Sequence, residues 1–276
     1  FGWKRHYLSS WLEGRVHHSL ARSLTDCGYR TVVISAFPYR FAHEGAFLTS
    51  LGIEEFRDSA AIGAATLHER DFVYFDAARR LIDEHHRTDR RPLFVYVMTM
   101  ATHNPYDFRF APEEHIAGEP FGNTPDLDEY LRRLALQRRD LTGFMDSLKA
   151  DPGSNGTLLV DFGDHQPIST RDFAEARDPE ALANWSSIAY RTYYRMTGFG
   201  FAVTEPAPDV EVLDVAYLGP ATLAAAGVPL RPVDQEMLRL ADACAGAFAG
   251  CRERDRIDLH LRRLIAGRLL DLERAH

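Results

Sequence analysis

"TLLVDFGDHQP", residues 157–167, is the stretch on which the reading of the whole chain turns. Thr157 to Val160 favour a buried, extended backbone. Gly163 then lets the chain turn, so Asp164 and His165 need not point to opposite faces as neighbours on a strand would. A carboxylate oxygen beside an imidazole nitrogen suits Zn²⁺ or Mn²⁺ as ligands. The same pattern also fits a turn acid next to a hydrogen-bonded histidine, and the surrounding chain has to decide between them.

Two further segments share the strand pattern: "RTVVISA" from Arg30 and "LFVYVMTM" from Leu93. All three are short, apolar and rich in β-branched or aromatic residues, as strands of a buried parallel sheet are. Helical patterns lie between them. "RVHHSLARSLTDCG" repeats Val16, Leu20 and Leu24 at helical spacing and stops at Gly28. "FVYFDAARRLIDEHHR" sets Phe72, Phe75, Ala78, Leu81 and Ile82 on one side. "DLDEYLRRLALQRRDLTGFMDSLKA" does the same with Leu127, Leu131, Leu134, Leu141, Phe144 and Leu148. The alternation predicts an α/β fold, a mostly parallel sheet with helices on both faces. Later, "IAYRTYYRMTGFGFAV" has room for one or two more strands. "LGPATLAAAGVPL" reads as a short helix closed by Gly227 and Pro229, and residues 231–276 as carboxyl-terminal helices. With no internal repeat and no long linker, the expectation is a single domain over residues 1–276 with its core at 20–230.

Composition narrows the function classes. Of 276 residues, 45% are hydrophobic and 26% charged, which fits a folded globular chain rather than a disordered one. Forty acidic against 32 basic residues give a net charge of −8, which argues against a nucleic-acid partner. No apolar run approaches the roughly 18 residues of a membrane span. The opening "FGWKRHYLSS" has no methionine and no signal-like apolar stretch, so the expectation is that the native chain starts upstream. Cys27, Cys244 and Cys251 form no CxxC pattern. On an unbroken helix Cys244 and Cys251 would stand about 10 Å apart, so two buried thiols are expected unless Gly246 and Gly250 break that helix.

Ligands of open α/β sheets gather at the carboxyl ends of the strands. There stand Asp164 and His165 after one strand and, in "ATHNPYD", His103 after another. A histidine at that place is a candidate to bind or protonate an anion. The competing motifs, GxSxG, GxxxxGK[ST], HExxH and a complete GxGxxG, are missing.

"TLLVDFGDHQP", preceded by "LFVYVMTMATHNPYD" and by "GYRTVVISAFPYRFAHEGAFLTSLGIEEFRD", resembles the sulfatase-like branch of the alkaline phosphatase superfamily. Within it the likeness is to lipoteichoic-acid-synthase and phosphoglycerol-transferase enzymes of the bacterial envelope, over residues 20 to 230. The resemblance implies metal-dependent transfer or hydrolysis of phosphate or sulfate esters: phosphoglycerol or phosphoethanolamine transfer to an envelope glycan, or sulfatase-like hydrolysis. The substrate is then an anionic phospholipid or glycan ester. It implies one divalent ion, Mn²⁺ first and Zn²⁺, Mg²⁺ or Ca²⁺ also suited, with Asp164 and His165 as ligands. His103 inherits contact with the transferred group or leaving oxygen. Arg40 and His43, in "FPYRFAHEGAF", are candidate substrate contacts, and Arg109 a weaker one.

Two departures qualify this carry-over. The family places a Thr or Ser nucleophile and a first acidic ligand upstream of the "GYRT" block. Ser9, Ser10 and Thr25 follow no strand, so the nucleophile is expected before residue 1, with the amino-terminal part of the fold. Membrane anchoring and a periplasmic or extracytoplasmic location would come with that upstream segment. The substrate loop also lacks the family's histidine–tryptophan–arginine set. The alternative from another class is a catalytically inactive domain that binds an anionic glycan or lipid headgroup; a cytosolic phosphomutase-like relative is a third.

Overall fold

A computed structural model describes residues 8–177, 180, 190–204 and 210–272. The chain forms two compact units: Phe1–Asp58, Thr88–Tyr96 and Val203–His276 make one, Ser59–Arg87 and Val97–Ala202 the other.

The first unit is built on the strand read from Arg30. After α1 (Leu8–Leu12), helix α2 (Leu20–Asp26) starts at Ser19, whose hydroxyl accepts the Arg22 N–H at 3.0 Å. Val16, expected on that helix, lies before the cap and pairs instead with Leu270 in an antiparallel bridge. Gly28 follows the helix with φ 84, the left-handed turn that glycine takes without a Cβ clash. It returns the chain into β1 (Arg30–Ile34), where Val32, Val33 and Ile34 are fully buried. Helix α3 (Glu44–Ser50) leads to β2 (Glu55–Arg57), which pairs with β1 in parallel, Val32 opposite Glu55. With β3 (Leu93–Val97) the sheet runs β2-β1-β3. Ala21, Val33 and Ile53 form a core with Leu48, Phe56, Phe94 and Tyr96 against it.

The carboxyl-terminal segment completes this unit. Helix α8 (Leu218–Ala225) is closed by Gly227, φ 68, and packs Leu223 and Val228 against Leu24. Helices α9 (Pro232–Ala243) and α10 (Arg254–Ala266) follow, as expected. Cys244 and Cys251 are joined by a disulfide with Cα atoms 4.9 Å apart, so the expectation of two thiols is corrected. The reason is local: α9 stops at Ala243, and Ala245 and Gly246 take φ 49 and 80, turning the chain back. The bridge is buried among Tyr217, Leu240, Ala241 and Ile257.

The second unit opens with a short helix, α4 (Ser59–Ile62), and is organised by two long ones, α5 (Phe72–Thr88) and α6 (Pro125–Ala150). Phe75 and Phe144 stack with ring centres 5.2 Å apart. Phe72, expected inward, is 50% exposed, because the buried stripe of α5 is Tyr74, Phe75, Ala77, Ala78, Leu81 and His85. On α6 the stripe is Arg132, Arg133, Leu136, Gln137, Asp140, Leu141 and Leu148, and two of its largest fully buried side chains are arginines.

Strand β4 (Thr157–Phe162) is paired antiparallel with β5 (Tyr194–Phe199), from Thr157 opposite Phe199 to Phe162 opposite Tyr194. The α/β class stands, with its parallel pairing seen in β1 and β2. For the strand read from Thr157, the parallel expectation is corrected among the described residues. A strand apolar along its length reports burial, not the direction of its partner. Helix α7 (Ile168–Arg177) follows β4.

Candidate functional site

The β4 ladder ends where the chemistry begins. Gly163 donates to Tyr193 O at 3.0 Å, and a Cβ at Gly163 would meet the Thr192 hydroxyl, so a side chain at this crossing would force Thr192 to shift. Just inside the strand end, Asp161 is held by Arg138 and Arg195, each at 3.2 Å, and by the Tyr193 hydroxyl at 3.0 Å. Burial, with Asp161 adding to it, pushes the Tyr193 phenol up to about 12, so it remains a donor to that carboxylate. Arg138 also lies 4.2 Å over the Tyr193 ring. The strand end is therefore fixed, and the two residues after the glycine project from it.

Asp164 and His165 come together and face solvent, with side chains 80% and 70% exposed. His165 Nδ1 lies 3.0 Å from the carbonyl of Gln166, which can only accept, so Nδ1 carries the proton. Nε2 lies 3.3 Å from Asp164 Oδ2. An imidazole that gives one N–H to a carbonyl and presents its other nitrogen beside a carboxylate is arranged as metal-binding histidines are. The Asp164 Oδ1 is taken by the His165 N–H at 2.8 Å, and Gln166 ties the loop to Arg191 O at 2.7 Å. The donor set fits a divalent ion such as Mn²⁺ or Zn²⁺ as a half-site. Among the described residues, no group of three or more His, Cys, Asp or Glu side chains completes it.

His103 is exposed too, on the loop after β3. Its Nδ1 lies 2.5 Å from the Asn104 carbonyl, so again Nε2 is the free nitrogen. The loop beneath it is held from several sides. The buried carboxylate of Asp71 accepts the N–H groups of Met100 and Ala101 at 3.2 and 3.0 Å. Arg133 donates to His103 O at 2.9 Å and Phe108 O at 3.1 Å. Arg132 donates to the carbonyls of Phe110, Ala111 and Glu114, and Arg70 pairs with Asp140 and Glu114. Desolvation at Asp71 outweighs these N–H donors and pushes its carboxyl up to about 6.

In the first unit, Arg40 and His43 are exposed on the loop between β1 and α3. Ala42 and His43 adopt φ 51 and 59, a left-handed pair at residues that rarely take it. Arg109 is bound to Glu119 at 2.7 Å, an exposed ion pair that answers for it without a substrate. Sequence reasoning missed Asp71, Arg132, Arg133 and Asp161. The one signal for the arginines is position: they stand three and four residues before Leu136, on the same stripe as Leu141.

A family model described as Sulfatase matches residues 2–192 of the chain. No curated protein matches it. Solved structures share its fold. The lipoteichoic acid synthase LtaP from Listeria monocytogenes aligns with TM-score 0.59 at 18% identity, covering 71% of this chain and 50% of that one. The phosphoglycerol transferase GacH from Streptococcus pyogenes, in complex with sn-glycerol-1-phosphate, aligns with TM-score 0.60 at 13% identity, over 87% and 60%. An alkaline phosphatase superfamily protein from Vibrio parahaemolyticus aligns with TM-score 0.57 at 16% identity, over 80% and 53%. The chain thus spans between half and three fifths of the length of these proteins.

Proposed function

Because the chain belongs to the Sulfatase family, we propose that it carries the metal-binding and acid–base part of an enzyme that transfers or hydrolyses phosphate or sulfate esters, with phosphoglycerol-type transfer to an envelope glycan as its reaction. The observation that carries this reading is the end of β4, where His165 Nε2 and Asp164 Oδ2 stand 3.3 Å apart in solvent. Asp164 and His165 bind one divalent ion, Mn²⁺ first. When bound, that ion supplies a Lewis acid for the oxygens of a tetrahedral ester. In its imidazolium form His103 gives the Nε2 proton to the leaving oxygen and is left as the neutral Nδ1–H ring, with Nδ1 committed to Asn104 O throughout. Arg40 and His43 contact the anionic substrate. No residue here is assigned the nucleophile: Ser9 Oγ donates to Ala42 O at 2.5 Å and Thr25 Oγ1 to Gly52 O at 2.9 Å.

The disulfide bears on location. Disulfides persist in oxidising compartments, so Cys244–Cys251 supports an extracytoplasmic place in the bacterial envelope. No helix among the described residues is long and apolar enough to cross a membrane, and anchoring is assigned to sequence outside them.

Calorimetric titration with Mn²⁺, paired with turnover of phosphoglycerol, aryl phosphate and aryl sulfate esters by the full-length protein, tests this. Asp164→Asn and His165→Ala are expected to weaken Mn²⁺ binding by at least about tenfold and to abolish turnover. Unchanged Mn²⁺ affinity in both variants overturns the assignment.

A further inference from the structure

We propose that Arg133 is the positioning residue for His103: a buried guanidinium that acts on turnover through the backbone it holds, without touching substrate. The proposal rests on the reading of His103 as the group that handles the leaving oxygen's proton.

Arg133 is fully buried on α6, at a place on the helix stripe where a leucine would be ordinary. Burying a cation is unfavourable unless its donors and its charge are used. Here two donors and the charge are used on one loop. Nη1 donates to His103 O at 2.9 Å, Nη2 to Phe108 O at 3.1 Å, and Nε to Glu129 at 2.8 Å. The cation also faces three rings, those of Tyr106, Phe108 and Phe110, at 5.2, 4.6 and 5.2 Å. Residues 103 to 110 are thereby wound round a single charge.

The neighbouring arginine shows that this is not simply what a buried arginine does on this helix. Arg132 holds Phe110, Ala111 and Glu114, the far side of the loop, and makes no bond to His103. Arg133 reaches the carbonyl of the histidine itself. From the other direction Asp71 fixes Met100 and Ala101, so the backbone at residue 103 lies between two anchored points. What remains free is the imidazole, with Nδ1 on Asn104 O and Nε2 toward solvent. A planar guanidinium fixes two carbonyls at once, which a lysine ammonium does not. That geometry matters for proton transfer, where a displacement of about 1 Å costs on the order of 10²-fold in rate.

The test uses the full-length protein and two esters, an alkyl phosphodiester whose leaving oxygen needs a proton and an aryl phosphodiester whose leaving oxygen does not. Arg133→Met is expected to lower kcat for the alkyl ester on the order of 10²-fold, with KM little changed. The aryl ester should stay within about threefold. Arg133→Lys should fall between, and Arg133→Met added to His103→Ala should cost nothing further, because both remove one function. Equal losses on both esters, or additive losses in the double variant, overturn the proposal and leave Arg133 a packing residue. Should Arg133→Met fail to fold, Arg133→Lys carries the same comparisons.

Nuclear magnetic resonance of the His103 ring separates this proposal from the reading beneath it. If His103→Ala keeps full turnover, the proton-transfer reading is wrong, and the ring signal then decides the positioning claim by itself. A single Nδ1–H tautomer that broadens or changes in Arg133→Lys upholds it. A signal identical to wild type overturns it.

Discussion

The loops that follow β3 and β4 each carry candidate site residues of the second unit, and they are held in opposite ways. After β3, Met100, Ala101, Tyr106 and Phe110 are buried, and the loop's backbone is gripped by Asp71, just before α5, and by Arg132 and Arg133 on α6. After β4, Asp164 and His165 are mostly in solvent, and their bonds run to immediate neighbours. The difference follows from the proposed tasks. A proton-transfer group has to be oriented before a substrate arrives, since that is where its rate advantage comes from. A ligand pair is oriented by the ion it binds, so a loosely held loop suffices until then.

Breaking the clamp is expected to have the largest effect on stability. Arg132→Met removes the partner of three carbonyls and leaves Glu119, 3.0 Å from the guanidinium, facing a methyl group. Loss of one member of a buried charged network costs about 3–5 kcal/mol. Urea unfolding of the variant reads this directly; a loss under about 1 kcal/mol would mean that water takes the arginine's place and the loop is no better held than its counterpart.

The clamp should also respond to pH. Asp71 in the folded protein titrates near 6, above an ordinary aspartate at about 3.9. A raised carboxyl favours the folded state when protonated. Its contribution is complete below about pH 4 and is lost as pH rises through 6, up to about 3 kcal/mol in all. Asp71→Asn keeps an acceptor for the two N–H groups and cannot ionise. The stability difference between variant and wild type should therefore grow in the variant's favour from pH 4 to pH 8. A difference that is flat across that range refutes the buried-carboxylate account.

The open loop should show the smallest change. Without metal, Asp164→Asn and His165→Ala are expected to move unfolding free energy by less than about 0.5 kcal/mol each, as exposed substitutions do. A larger loss in metal-free denaturation would erase the contrast between the two loops.

How far the sequence could be read follows the same divide. The places of Asp164, His165 and His103, each after a strand's end, were legible because a strand's end is a local pattern. The helix stops at Gly28 and Gly227 were legible for the same reason. The grips were not. Arg133 reaches a carbonyl 30 residues away and Asp71 an N–H 30 residues away, and nothing within a helix repeat records such partners. An arginine on a helix is read as solvated because most are. Likewise the antiparallel partner of β4 is a property of Tyr194–Phe199, not of Thr157–Phe162. The disulfide needed the turn at Ala245 and Gly246, which the sequence offers only as the alternative to an unbroken helix.

The bridge between Val16 and Leu270 has a consequence for how the molecule is made. With it go the bonds from His17 N to Leu269 O and from Asp271 N to Arg15 O, and farther in His18 meets Asp234 at 2.9 Å. During synthesis, residues 8 to 34 leave the ribosome more than two hundred residues ahead of these partners. Leu24 must wait, partly uncovered, for Leu223 and Val228 while the second unit is translated between them. Contacts this far apart in sequence form slowly and leave apolar surface open to other chains. The second unit, whose parts lie mostly in one run of sequence, can gather first. Helix α2 thus stays partly open until residues 223–230 have emerged, and until then its apolar face is a client for whatever shields nascent chains.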